Sequence, residues 1–182
     1  MNHPQPFGYG KDATPPQDGA LAEYSIKLEV EGRRQAEGVV VVADKRALRR
    51  ECFARALLGE DPSLSISEVG SLDEFYNAQL EADASAILLI LGSRKVTDQS
   101  VRTELVRFAS EVRPIPVIVV ADSDGPDDIL TALESGAKGY IPTSVKVKVA
   151  AEAIKLARAG GIFVPALYAS WERTVTLASW GL

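Results

Sequence analysis

Few residues in this chain are equipped for chemistry. It carries one histidine, His3, and one cysteine, Cys52. A Ser-His-Asp or Cys-His arrangement needs an imidazole held by a fold, and His3 stands beside the N-terminus among prolines and glycines. A zinc site needs several converging ligands, and the soft ones are lacking. A lone cysteine forms no internal disulfide and suits a reducing compartment. What remains is charge. Asp44 follows the apolar run 39–43 and reads as a residual metal ligand or, more simply, as a loop acid or cap for the next helix. Asp122, Asp124, Asp127 and Asp128 could bind a cation, or form a solvated loop entering the positive end of a helix. Lys45, Arg46, Arg49 and Arg50 pair at i, i+4, with Arg33 and Arg34 upstream. They read as a solvated helix face or as a site for an anion such as a nucleotide, a phosphate or nucleic acid. No glycine-rich phosphate loop follows the first apolar run.

The elements that must position these residues are legible from hydropathy. VVVVA at 39–43, AILLIL at 86–91 and PVIVVA at 116–121 are short apolar runs without polar alternation, the pattern of parallel strands buried on both faces. SISEV at 65–69 and KGYIP at 138–142 supply two more strands. Helices fall between them. The first places Leu48, Cys52, Ala56 and Leu57 on one stripe, with Cys52 as packing. The second, 71–82, opens on a capping box of Ser71 and Glu74. A third runs over 99–112. A fourth starts at Pro126 and stops at Gly136, and a last one is capped by Ser144 and ends at Gly160-Gly161. Alternating strands and helices predict a doubly wound (βα)5 α/β sandwich whose function gathers at the carboxyl ends of the strands.

Residues 1–36 form a Pro- and Gly-rich arm with a possible extra strand at 24–31, residues 37–165 the main domain, and 166–182 a C-terminal tail. In that tail Trp171 and Trp180 would dock on the domain or on a partner. The net charge of −5 argues against a surface built throughout for nucleic acid. No segment reaches the roughly 18 apolar residues of a membrane span, and no secretory signal is present, so a cytoplasmic protein is expected.

The stretch TALESGAKGYIPTS, followed by a helix and ARAGGIFVP, resembles the end of a response-regulator receiver domain of the LuxR/NarL class, and the likeness extends over about residues 38–165. The resemblance implies the flavodoxin- or CheY-like fold and a place in two-component signalling and transcription regulation. In that family an acid pair after the first strand holds Mg²⁺, an aspartate ending the third strand takes the phosphoryl group, and a Thr or Ser and a Lys contact its oxygens. Here those positions fall on Ala43 and Asp44, on Ile90 (or, one residue along, Leu91), on Ala121 and on Thr143. An acyl phosphate forms only if a carboxylate attacks while a cation neutralises the developing charge, so the site reads as degenerate, with no catalytic residue, metal or cofactor. The family's switch aromatic falls on Tyr140, read here as a residual surface contact with its coupling through the hydroxyl position lost.

The expectation is a non-phosphorylatable receiver that binds protein partners: a second copy, a histidine kinase or another regulator. Candidate contacts are Ile129, Leu133, Val145, Val149 and Leu156. The class normally carries a helix-turn-helix after the receiver, and the tail is too short for one, so this chain alone is not expected to bind DNA. The alternative is a sensor that takes a small anion or nucleotide in the emptied pocket beside Lys45, Arg46, Arg49 and Arg50. An enzyme on the same fold is the third and weakest reading.

Overall fold

A strand that is apolar on both sides must be covered on both sides. In the computed structural model, which describes residues 38–165, that is the arrangement. Strands β1 (Val39–Ala43), β2 (Ile66–Val69), β3 (Ala84–Gly92), β4 (Val117–Ala121) and β5 (Gly139–Pro142) form one parallel sheet in the order β2-β1-β3-β4-β5. Helices α1 (Ala47–Glu60), α2 (Leu72–Asn77), α3 (Gln99–Glu111), α4 (Pro126–Glu134) and α5 (Val147–Arg158) fill the crossovers and flank the sheet. The expected doubly wound (βα)5 fold is the observed one.

The period-2 geometry of each strand sorts its side chains into two cores. Val41, Leu89, Val119 and Tyr140 face Phe75 of α2, Leu105 of α3 and Ile129 of α4. Val40, Leu88, Ile90 and Val120 face Leu57 of α1 and Ile154 of α5. The buried face of α5 is largely alanine (Ala150, Ala151, Ala153, Ala157), which lets the helix lie close to the sheet.

Several helix ends follow their sequence signals. The Ser71 hydroxyl accepts from the Glu74 N–H at 3.1 Å, and the Glu74 carboxylate accepts from the Gly70 N–H at 2.5 Å, a capping box reaching one residue further back than expected. Pro126 opens α4, and Gly136 follows its end with φ of 101°, a conformation a Cβ would oppose.

Other expectations are corrected. The helix expected over 71–82 is broken. Only Phe75 of α2 is buried, and Gln79 turns left-handed (φ 53°) before a 3₁₀ turn at Leu80–Ala82. Ser144 does not cap α5; Lys146 holds that position and makes no side-chain cap. The stripe assigned to α1 holds only at its C-terminal end, where Leu57 is buried and Ala56 half-buried. Leu48 is 76% exposed and Cys52 is exposed, while Ala54 is buried with Phe53 half-buried beside it. Cys52 is therefore not a packing residue.

The outer edge of β5 is closed. The Phe163 N–H donates to the Lys138 carbonyl (3.1 Å) and the Tyr140 N–H to the Phe163 carbonyl (3.2 Å). Pro142 and Pro165, on either side of this bridge, have no N–H to offer. No helix among the described residues is long and apolar enough to cross a membrane. The arm 1–36, its candidate strand 24–31, Arg33, Arg34 and the tail with Trp171 and Trp180 lie outside the described residues.

Candidate functional site

In a sheet of order 2-1-3-4-5 the chain reverses direction between β1 and β3, and the crevice at their carboxyl ends is where a ligand site forms. Asp44, the first residue past β1, stands there with 5% of its surface exposed. Its N–H donates to the Val69 carbonyl at 3.0 Å, which fixes it against β2. Its carboxylate is fully engaged from one side. Oδ1 accepts from the Arg46 N–H (2.9 Å) and from Arg49 Nη2 (2.8 Å), while Oδ2 accepts from Arg49 Nε. Arg50 Nη1 donates to the Asp44 carbonyl oxygen at 2.5 Å, and Arg50 Nε lies 3.7 Å from the Glu68 carboxylate. Burial pushes the Asp44 carboxyl up. The hydrogen bonds from Arg49 and Arg46 and their charges outweigh that and hold it below the ordinary aspartate value.

The same arginine closes the floor of the crevice. Gly92, at the end of β3, has φ of 61°, and a Cβ there would run into the Arg49 guanidinium. The Asp44 hydrogen bond raises the Arg49 pKa more than burial lowers it, and the Asp44 and Asp122 charges raise it further. Of the four cations expected to offer an anion site, Arg49 and Arg50 thus turn inward to Asp44, and Lys45 and Arg46 remain exposed.

Two clefts of about 200 Å³ flank this pair. One is lined by Asp44, Arg49, Ile90 and Leu91, the other by Asp44, Ile90, Arg94 and Arg107. Both arginines of the second are already matched, Arg94 to Glu104 at 2.7 Å and Arg107 to Glu111 at 3.4 Å, and Lys45 at its rim is exposed. A larger cleft, about 430 Å³, opens at the opposite end of the sheet beside Arg113, Pro116, Lys138 and Gly161, away from all of these residues.

Across the sheet edge, Ala121 ends β4 fully buried, and its carbonyl accepts from the Thr143 N–H at 2.9 Å. The Thr143 hydroxyl donates to Asp122 Oδ1 at 3.1 Å. Tyr140 is a correction. It is not a surface contact but is wholly buried beside Ala121, with its hydroxyl donating to the Ser123 carbonyl at 2.8 Å. Burial, with the Asp128 charge next, raises its pKa far above the ordinary tyrosine value. Asp128 is a second correction. Unlike Asp122, Asp124 and Asp127, which are exposed as a solvated acidic loop requires, it is 5% exposed and hydrogen-bonded to Thr97 and Ser123. Its partner Thr97 lies 31 positions away, so no local pattern could have revealed it.

No protein-family model and no curated protein matches the sequence. Solved structures do match. A LuxR family DNA-binding response regulator from Silicibacter pomeroyi is 25% identical, the match covering 72% of this chain and 99% of that one with a TM-score of 0.58. A LuxR family two-component response regulator from Aurantimonas sp. is 19% identical over 75% of this chain and 98% of its own, TM-score 0.61. The isolated REC domain of RcsB from Salmonella enterica serovar Typhimurium, with the phosphomimetic BeF3-, is 14% identical over 74% and 97%, TM-score 0.57.

This chain has the receiver fold of response regulators. On that fold, the mapped positions fall into two groups. Asp44 and Ile90 line the same clefts, whereas Ala121 and Thr143 sit together one strand pair away. The donor set does not fit the divalent cation that the receiver fold implies. Magnesium wants oxygen ligands, and at the strand ends the crevice offers only the Asp44 carboxylate, already bonded to Arg49, beside Ala43 and Ile90, which have no ligating side-chain atom. The other carboxylates lining it belong to the helices, Asp73 on α2 and Glu104 on α3, and Glu104 is paired with Arg94. Among the proposed contact residues, Ile129 is corrected to the core (1% exposed), because it faces Tyr140 and Ala121 under α4. Leu133 and Val145 are half-buried against the two cores, and only Val149 (38%) and Leu156 (43%) are exposed.

Proposed function

We propose that this domain signals by protein contact and accepts no phosphoryl group. Its partner would be a second copy, a histidine kinase or another regulator, in the setting of a LuxR/NarL-type transcription regulator. The observation that carries this reading is the Arg49–Asp44 pair beside Ile90. At the end of β3, where the attacking carboxylate of an acyl phosphate would stand, there is Ile90, and the buried carboxylate beside it, Asp44, is spent on an internal cation. Val149 and Leu156, seven residues apart, lie on the flank of α5 away from the Lys155–Asp61 ion pair that faces α1. This leaves apolar surface free for a partner.

Two measurements test the reading. Mg²⁺ with beryllofluoride should leave the amide NMR spectrum unchanged, and specific shifts around Asp44 and Ile90 would overturn the claim that no phosphoryl group is accepted. In the full chain, the double variant Val149→Glu with Leu156→Glu should leave unfolding free energy within about 0.5 kcal/mol of wild type. It should also abolish self-association or kinase capture. Unchanged association would remove this face from the proposal.

A further inference from the structure

Asp128 lies in the first turn of α4, and a buried carboxylate is tolerated only when its lone pairs are satisfied. Its donors come from two separate loops. Thr97, between β3 and α3, gives Oδ1 both its backbone N–H and its hydroxyl, each at 3.0 Å. Ser123, between β4 and α4, gives its hydroxyl to Oδ2 at 2.6 Å, and the Ser123 hydroxyl oxygen in turn accepts from the Gly125 N–H at 3.3 Å. The Ser123 carbonyl then takes the Tyr140 hydroxyl from β5. One connected chain, Thr97–Asp128–Ser123–Tyr140, spans two loops, the start of a helix and an edge strand. Burial pushes the Asp128 carboxyl up, but the Ser123 and Thr97 hydrogen bonds and the Lys95 charge outweigh it, so Asp128 stays ionised as the acceptor of the whole chain.

We propose that Asp128 is the centre of a latch that holds Tyr140 buried and locks the loops after β3 and β4 into one joint conformation, with no bound group required. Ala121 supplies no hydroxyl to either loop, so the coupling between them runs through Asp128 instead. Tyr140 is held from its hydroxyl end by Ser123 and packed on its ring beside Ala121 and Ile129. Loosening any member loosens the others, because each donor in the chain orients the next. The surface that α4 and β5 present is then constant, and a partner reads one state rather than two.

The test is site-resolved amide exchange on the full chain with three variants. Asp128→Asn keeps the shape and removes the charge, Thr97→Val removes one hydroxyl and keeps the backbone donor, and Tyr140→Phe removes the far end. Each variant should raise exchange at the Thr97 and Gly125 amides together, by about fivefold or more. Val42 and Leu57, on the other face of the sheet, should keep wild-type protection. A second set of Tyr140 ring resonances should appear in Asp128→Asn. A uniform rise across the sheet in Thr97→Val and Tyr140→Phe would reduce the network to ordinary stability. A rise at Thr97 alone, with Gly125 and the Tyr140 ring unchanged, would show that the loops are not coupled. If Asp128→Asn fails to fold, the other two variants decide between these outcomes.

Discussion

The carboxyl edge of the sheet is closed twice, by different chemistry. Between β1 and β3, a buried aspartate faces a cation, Asp44 against Arg49. Between β4 and β5, an equally buried aspartate faces neutral donors only, Asp128 against Thr97 and Ser123. The first arrangement satisfies charge with charge and leaves the Arg49 side chain one-third exposed. The second spreads one charge over three hydrogen bonds and passes its order on to Tyr140. An ion pair plugs a crevice, whereas a hydrogen-bond network joins loops, so the two halves of one edge have different consequences when broken.

Acid breaks both regions at once and has the largest expected effect. Both carboxyls have pKa values lowered in the folded state. Their stabilisation is therefore fully present above the unfolded aspartate value of about 4 and is lost as pH falls through the depressed folded values. Urea midpoints should be flat from pH 7 to about pH 5 and then fall. A midpoint that rises on acidification would contradict the assignment of either carboxylate as ionised.

Arg49→Ala separates the regions. It leaves the Asp44 carboxylate buried without its cation and should cost about 3 kcal/mol in equilibrium unfolding. Asp44→Ala removes the buried charge and leaves an arginine that can turn to water, so it should cost less. The double variant Asp44→Ala with Arg49→Ala should therefore be more stable than Arg49→Ala alone. Additive losses would mean that the pair is not coupled. Amide exchange at Thr97 and Gly125 should remain at wild-type values in Arg49→Ala once global stability is subtracted, since neither belongs to that pair. Gly92→Ala is the mildest of these changes. A methyl at φ of 61° costs about 1 kcal/mol, and it also displaces the Arg49 guanidinium, so the loss should shrink in the Arg49→Ala background.

The strands were readable because burial on both faces leaves an unbroken apolar run, and 39–43 matches β1 residue for residue. The positions at the strand ends were readable too, since the strand order fixes where Asp44, Ile90, Ala121 and Thr143 must stand. The phase of α1 was not. Leu48, Cys52, Phe53, Ala54 and Leu57 support two stripes of similar apolarity, and the choice is made by contacts outside the helix. Arg49 and Arg50 must both reach Asp44, which turns Ala54 and Leu57 to the sheet and leaves Leu48 and Cys52 in water. The burial of Asp128 is hidden for a similar reason: an acid in the first turn of a helix needs no buried partner, and of its two partners only Ser123 is local, while Thr97 is remote in sequence.

The closed edge at β5 also governs how the domain behaves when crowded. An open edge strand is a template on which another chain can build, the first step toward domain exchange and fibril growth. Here Phe163 already occupies the backbone positions of Lys138 and Tyr140, and Pro142 and Pro165 interrupt any ladder that tried to continue past it. On that side, association is left to side chains, which can be tuned one residue at a time and can let go.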